Sequence, residues 1–315
     1  MRAVVTGAAG FIGSHVSERL IEAGATVVGI DCFTDYYPRE LKERNLTRLR
    51  QSPLFSLVEQ PLATADLPWL LNDATHVFHL AAQAGVRKSW GRDFRVYTVN
   101  NVEATQILLE ACIGKPIERF VYASSSSIYG DEVTLPMRED ARPQPVSPYG
   151  VTKLAAEQLC YLYYVNHSVP TVALRYFTVY GPRQRPDMGF SRFFEAVLRD
   201  EPVPIFGDGR QTRDFTFVAD AVSATLASAT RGTPGGVYNI GGGSRVELLD
   251  VFELIRIVTG RALRFSRLGA QRGDMRDTYA DTTRARTDLA FAPTVTLEQG
   301  LRAQYEWITA GNDKQ

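Results

Sequence analysis

Met1-Arg2-Ala3-Val4-Val5-Thr6-Gly7-Ala8-Ala9-Gly10-Phe11-Ile12-Gly13 opens the chain. A short strand-forming run leads directly into three glycines spaced three residues apart, and these lead into the amphipathic stretch Ile12–Ala23, which Gly24 stops. Strand, glycine turn and helix in that order begin a βαβ unit. The spacing is GxxGxxG rather than GxGxxG, but the same physics applies. Glycines there allow a tight turn, close backbone approach to a pyrophosphate and close packing of helix on strand, with the phosphates at a helix N-terminus. Gly7, Gly10, Phe11, Ile12 and Gly13 are therefore candidate dinucleotide contacts. Asp31 ends the next apolar run, 18 residues after Gly13. A carboxylate there accepts hydrogen bonds from an adenosine ribose and repels a 2′-phosphate, which selects NAD over NADP.

Further apolar runs follow at Thr26–Ile30, Phe55–Val58, His76–Leu80, Arg119–Ala123 and Thr171–Leu174, with helical patterns at Asp93–Ile113 and Pro148–Asn166 between them. This alternation predicts an α/β fold, a Rossmann-type doubly wound parallel sheet with helices on both faces. After Tyr176 the pattern loosens into a Pro/Arg/Gly-rich loop (Gly181–Gly189), a helix over Phe190–Asp200 and a glycine turn at Gly207–Arg210. A strand over Asp214–Val218, a helix over Ala219–Ala229 and a strand over Val237–Ile240 come next, then helices near Val246–Thr259 and Leu297–Trp307. Residues 1–175 with a return segment of about 214–240 read as the dinucleotide-binding domain. Residues 176–213 and 241–315 read as a smaller interleaved domain for the substrate, bound at the carboxyl ends of the strands.

The 315 residues (35.0 kDa) are 44% apolar and 22% charged, so the chain has the means to bury a sizeable core. Thirty-five basic residues balance thirty-five acidic ones, which gives no broad attraction to nucleic acid or to an anionic membrane. Cys32, Cys112 and Cys160 are odd in number and far apart, so no disulfide framework is expected. Four histidines include no HExxH motif and no Cys/His cluster, so no metal is expected. No run reaches ~18 apolar residues, and the N-terminus lacks a signal-peptide pattern. A cytoplasmic protein is the expectation.

Tyr149-Gly150-Val151-Thr152-Lys153 falls in a helical pattern, which places Tyr149 and Lys153 on one face. A free phenol has a pKa near ~10 and is a poor base at neutral pH. A Lys charge at ~4 Å, at an effective dielectric near ~20, is worth roughly 4 kcal/mol, or about three pKa units. The pair is thus suited to acid–base work on a hydroxyl. Upstream, a strand ends in Ala123-Ser124-Ser125-Ser126-Ser127, where a serine hydroxyl reaches toward the same substrate oxygen.

Taken together, these segments resemble the extended short-chain dehydrogenase/reductase family. The resemblance covers nearly the whole chain. It rests on TGAAGFIG, HLAA (His79–Ala82), SSSSIYGD (Ser124–Asp131), YGVTK, LRYFTVYGP (Leu174–Pro182) and RDFTFVAD (Arg213–Asp220). It implies bound NAD, with Tyr149 as acid/base, Lys153 on the nicotinamide ribose and Ser125 as hydrogen-bond partner. It also implies that Leu80, Ala81 and Ala82 line the cofactor, with Asn100 in a structural or cofactor-side role and Tyr176 beside the cofactor. One departure stands out: Glu59-Gln60-Pro61-Leu62 occupies the place where many relatives carry an Asp near the adenine, a contact Pro61 cannot replace. Relatives are usually homodimers through a helix bundle, here Asp93–Ile113 with Pro148–Asn166.

In this family a UDP-sugar loses its 4-hydroxyl proton to the tyrosine and a hydride from C4 to NAD⁺. Dehydratase and decarboxylase relatives carry carboxylates just after the catalytic serine, whereas this chain has Ser126 and Ser127. That favours 4-epimerisation. The string Phe177-Thr178-Val179-Tyr180-Gly181-Pro182 with Arg185-Pro186-Asp187-Met188 resembles UDP-glucuronic acid 4-epimerases. A 4-keto glucuronate is a β-keto acid that loses CO₂ when its carboxylate stands perpendicular to the carbonyl. Ser125, Ser126, Ser127, Thr178 and the Arg185 guanidinium could hold it out of that geometry, at roughly 1.5–3 kcal/mol for each hydrogen bond to a charged group. Arg87 competes for the same role. The resemblance places Arg192 and Arg213 on the diphosphate, Phe206 against the base and Asp274 on the nucleoside, and leaves Arg272 and Arg276 unranked. Other assignments stay open: Arg213 paired with Asp214 or Asp220, and Phe206 in the core. A UDP-glucose/UDP-galactose 4-epimerase, with Thr278 small enough to admit an N-acetylated sugar, is the alternative reading. A decarboxylase, a dehydratase or a non-enzymatic nucleotide sensor fits the residues less well.

Overall fold

A computed structural model describes residues 1–131, 134–269 and 271–312. Six strands, β1 (Arg2–Thr6), β2 (Thr26–Ile30), β3 (Phe55–Val58), β4 (His76–His79), β5 (Arg119–Ser125) and β6 (Thr171–Tyr176), join the edge strand Val237–Ile240 in one seven-stranded parallel sheet. Their spatial order is Val237–Ile240, β6, β5, β4, β1, β2, β3. The chain starts in the middle and builds outward on one side. It then returns to β4 and builds on the other. That reversal between β1 and β4 opens a crevice at the carboxyl ends of the strands.

Alternation along each strand feeds two cores. Ala3, Val5, Val27, Val121 and Leu174 face one way, onto the helices Phe11–Glu22 and Val218–Arg231. Val4, Val28, Val77, Phe120 and Ala173 face the other way, onto the helices Ala104–Cys112 and Pro148–His167. A third core of Phe190, Phe194, Phe252, Ile255 and Leu301 supports the smaller C-terminal part. No helix among the described residues is long and apolar enough to cross a membrane.

The expected strand starts hold, and two strands run on. Ser124 pairs with Arg175 and Ser125 with Tyr176, so the ladder continues into the serine run. The strand expected over Asp214–Val218 is two short pieces. Thr212–Asp214 pairs with Arg245–Glu247, and Thr216–Phe217 pairs with Val179–Tyr180. Between them Phe215 enters the third core, while the Asp214 carboxylate accepts from the Gly242 and Ala280 backbone amides. The helix Arg39–Leu46 was not legible because RELKERNL carries no apolar stripe.

The helix expected over Asp93–Ile113 is interrupted. Phe94–Tyr97 and Ala104–Cys112 are α-helical, and Thr98–Glu103 is a π-turn. The wider turn carries Asn101 into the interior. Its Oδ1 accepts from the Gln83 amide at 2.7 Å, while its Nδ2 donates to the Gln83 carbonyl and to Thr152 Oγ1, both at 3.0 Å. Thr152 in turn donates to the Tyr149 carbonyl at 2.8 Å. On the other side, the Thr105 hydroxyl donates to the Asn101 carbonyl and so accepts from His79 Nε2 at 2.9 Å. His79 Nδ1 then accepts from Thr6, whose oxygen takes the Ala81 amide. Burial holds this imidazole neutral, with its pKa pushed down to about 3, and the charge of Lys153 adds to the effect. A continuous buried network thus ties the end of β1 to the end of β4, to the π-turn and to the helix bearing Tyr149.

Asn100 sits one residue away and does something different: its amide donates to the Val96 carbonyl near the surface. Asn101→Ala would strand the buried amide and carbonyl of Gln83, at a cost of about 3 kcal/mol. Asn100→Ala should stay within about 0.5 kcal/mol of wild type. Urea unfolding of the two variants checks this, and equal losses would contradict the network.

Candidate active site

A cavity of about 470 Å³ occupies the crevice. It is lined by strand ends (Thr6, Asp31, Ser125, Tyr176), by the glycine loop and by the start of the helix Pro148–His167. Two of the loop's three glycines, Gly7 and Gly13, are required by geometry. Gly7 adopts φ +70°, and a Cβ there would lie 2.8 Å from the Ala81 nitrogen. A Cβ on Gly13 would lie 2.1 Å from the Gly7 carbonyl oxygen, and one on Gly10 would lie 3.1 Å from the same oxygen. Gly10 caps the helix Phe11–Glu22 without any side-chain acceptor, which leaves amide donors at the cavity edge. Such a cradle fits the diphosphate of a dinucleotide.

The adenosine end fits as well. Asp31 accepts from the Ala9 amide at 3.1 Å and the Phe33 amide at 2.9 Å, and its two oxygens keep capacity for further donors. Burial raises its pKa, against those amide bonds and the charge of Lys42. Gln60, Pro61 and Leu62 line the cavity, so the place of the absent acidic residue is taken largely by apolar surface. Lys42 also lines it, buried, with its ammonium donating to the Thr34 carbonyl at 2.7 Å. Sequence reading missed Lys42 because the helix that carries it was not visible.

Leu80, Ala81, Ala82, Asn100, Ser125, Ser126, Ser127, Tyr149, Lys153, Tyr176, Thr178 and Arg185 all line the same cavity. Ser147 caps the helix of Tyr149 and Lys153 by accepting from the Gly150 amide, with Pro148 at its first turn. A Cβ on Gly150 would lie 2.4 Å from the Ser127 carbonyl oxygen, so glycine lets the helix start lie against the serine run. Ser124 turns to Glu157, which Arg175 also holds in a buried ion pair at 2.6 Å. Ser125 Oγ accepts from the Ser127 amide at 3.1 Å. The Tyr176 and Thr225 hydroxyls share a hydrogen bond at 2.6 Å.

Lys153 is buried, and its ammonium donates to the Ala123 carbonyl at 2.7 Å. Burial pushes its pKa down to about 8. Burial also raises the Tyr149 phenol, while a hydrogen bond with Ser125 and the charge of Arg185 pull it back. Sharing a helix face brought Tyr149 and Lys153 into one cavity, but the end of β5 supplies the acceptor that holds the ammonium. Arg185 is bound side-on by Asp187, Nε to Oδ1 at 3.0 Å and Nη2 to Oδ2 at 3.1 Å. Tyr36, from the loop after β2, donates to Asp187 at 3.2 Å.

The remaining expected residues form a second cluster outside that cavity. Arg87 pairs with Asp274 at 2.7 Å, and its guanidinium stacks 3.9 Å from the centre of the Phe206 ring. Arg192 approaches the same ring at 5.7 Å. Phe206 is half-buried at this junction rather than in the core. Arg213 donates to the carbonyls of Thr212 and Arg276 and pairs with neither Asp214 nor Asp220. Arg276 pairs with Asp208 at 3.1 Å. Thr278 is buried outside the cavity lining, where its hydroxyl accepts from the Asp214 amide.

Comparison with known proteins shows the family and the fold. Residues 3–241 match the family described as NAD dependent epimerase/dehydratase. The Bacillus subtilis (strain 168) protein named uncharacterized UDP-glucose epimerase YtcB is 44% identical over 98% of each chain. The probable UDP-glucuronate 4-epimerase of Rhizobium meliloti (strain 1021) is 36% identical over 98% of this chain and 96% of its own. The crystal structure of UDP-glucuronic acid 4-epimerase from Bacillus cereus, in complex with UDP-glucuronic acid and NAD, superposes with a TM-score of 0.96 at 44% identity, covering 98% of this chain and 99% of that one. With its parallel sheet, its glycine cradle and a match over most of its length, the chain belongs to the NAD dependent epimerase/dehydratase family.

Proposed function

We propose that this protein is an NAD-dependent UDP-sugar 4-epimerase that interconverts UDP-glucuronic and UDP-galacturonic acids. The observation that carries this reading is a half-buried guanidinium, Arg185, in the same cavity as Tyr149 and Ser125. The named activities of the Rhizobium meliloti and Bacillus cereus relatives support it. When bound, NAD supplies the acceptor and donor of hydride at sugar C4.

In this reading, Tyr149 takes the proton of the 4-hydroxyl and later returns it, and Ser125 shares that oxygen. Positive charge nearby lowers the cost of the phenolate against the burial that raises it. Arg185, with Ser126, Ser127 and Thr178, holds the substrate carboxylate out of the geometry that expels CO₂. Neither Ser126 nor Ser127 offers the carboxylate that elimination or decarboxylation chemistry uses, so the keto sugar turns over and is reduced on its other face. Residues 1–175 with 214–240 hold the dinucleotide, and 176–213 with 241–315 hold the UDP end through Arg87, Arg192, Phe206, Arg213 and Asp274. UDP-glucose/UDP-galactose epimerisation is the second reading, favoured by the name of the Bacillus subtilis relative. Both NAD and UDP-sugars are multiply charged and do not cross membranes unaided, which suits a cytoplasmic enzyme.

Tyr161, Leu162 and Val165 on the helix Pro148–His167 are each at least half exposed, and Val96, Val99 and Val151 are also exposed. Such an apolar stripe suits a twofold contact with a second copy, and we propose a homodimer through these helices. Leu162→Glu with Val165→Glu should convert a dimer to monomers in analytical ultracentrifugation, and a monomeric wild type would contradict it.

Anomeric-proton NMR with a panel of UDP-sugars tests the activity. The two UDP-uronic acids should equilibrate, whereas turnover confined to UDP-glucose and UDP-galactose would contradict the carboxylate role. Tyr149→Phe should lower kcat by about 10³-fold with NAD still bound. Arg185→Met should lower kcat/KM for UDP-glucuronic acid by about 10²-fold, with a UDP-pentose product visible by mass spectrometry.

A further inference from the structure

Arg185 presents five N–H donors, and Asp187 takes one edge of them. Among the described residues, Nη1 of Arg185 donates to nothing, and the residue lines the cavity. Both side chains are half-buried, at 19% and 27% exposure. Asp187 is itself held by the Tyr36 hydroxyl, which comes from the loop that follows the Asp31 strand. The guanidinium therefore has a counterion supplied by the chain, fixed from a second element, on the edge that its Nη1 leaves alone.

Epimerisation at C4 makes an unusual demand on such a site. The oxidised sugar must show its other face to the same hydride position, so a carboxylate on C5 must leave one set of contacts and take up another. A guanidinium partly withdrawn from water that loses its only anion is destabilised. One that keeps a second carboxylate is not. We propose, resting on the reading of Arg185 as the carboxylate contact, that Asp187 is a positioning residue that compensates Arg185 while the substrate carboxylate changes places, and that Tyr36 holds Asp187 for this task. Asp187 thereby weakens the grip on the substrate and speeds its turning.

This makes an opposite prediction from a purely orienting role. Asp187→Asn removes the competing charge and keeps the shape. KM for UDP-glucuronic acid should fall about threefold or more and kcat about tenfold, and Asp187→Glu should recover much of kcat. Tyr36→Phe should shift both constants in the same directions by smaller factors, which keeps the test available if Asp187→Asn folds poorly. A rise in KM, an unchanged kcat or a parallel loss that Asp187→Glu does not relieve would overturn the proposal. Arg185→Met, assayed alongside, separates the two levels. If it leaves turnover of UDP-glucuronic acid intact, the carboxylate reading falls and this inference falls with it. If it acts as expected while Asp187→Asn shows no opposed change in KM and kcat, the inference alone is wrong.

Discussion

The site depends on how closely two pieces of backbone approach one another. Gly7 leaves β1 in a left-handed turn against Leu80 and Ala81, which leave β4, with no room for a side chain between them. Gly13 then brings the first helix down onto the Gly7 carbonyl. The crevice of a doubly wound sheet lies where the strand order reverses, and here that reversal falls between β1 and β4. The buried bonds from Thr6 through His79, Thr105, Asn101 and Thr152 refer Tyr149 to the same point. The glycine cradle and the tyrosine are thus set by one rigid junction rather than by two independent loops.

Charge is distributed over this frame with little left uncompensated. Lys153 faces the Ala123 carbonyl, Arg185 faces Asp187, and Glu157 faces Arg175 and Ser124. His79, in the middle of the network, is kept neutral by burial. Burial raises the Tyr149 phenol above its ordinary value, while the Ser125 hydrogen bond and the Arg185 charge both pull it back down.

Much of this was legible in the sequence, because the decisive signals are local. Strand starts, the glycine spacing and the Tyr149–Lys153 pair follow from short-range rules of turn, cap and helix face. What was hidden depends on partners far away in sequence. Lys153 finds its acceptor at the end of β5, some thirty residues back (|i−j|=30). Asn101 acts through a π-turn, which has no composition of its own, so Asn100 and Asn101 look alike until the turn is seen. The helix bearing Lys42 lacks an apolar stripe and is held by tertiary contacts. Arg87, Arg192, Phe206 and Asp274 gather apart from the cavity lining, where an ion pair of Arg87 with Asp274 joins segments 187 residues apart.

Epimerisation by this route requires that the hydrogen taken from sugar C4 is held within the cavity and given back to the same carbon. UDP-glucuronic acid carrying deuterium at C4, incubated with the enzyme in ordinary water and analysed by mass spectrometry and NMR, tests this directly. Retention of the label at C4 of the UDP-galacturonic acid formed is the predicted result. Loss of the label to solvent would mean that the carbon is inverted by another route, and would contradict the account.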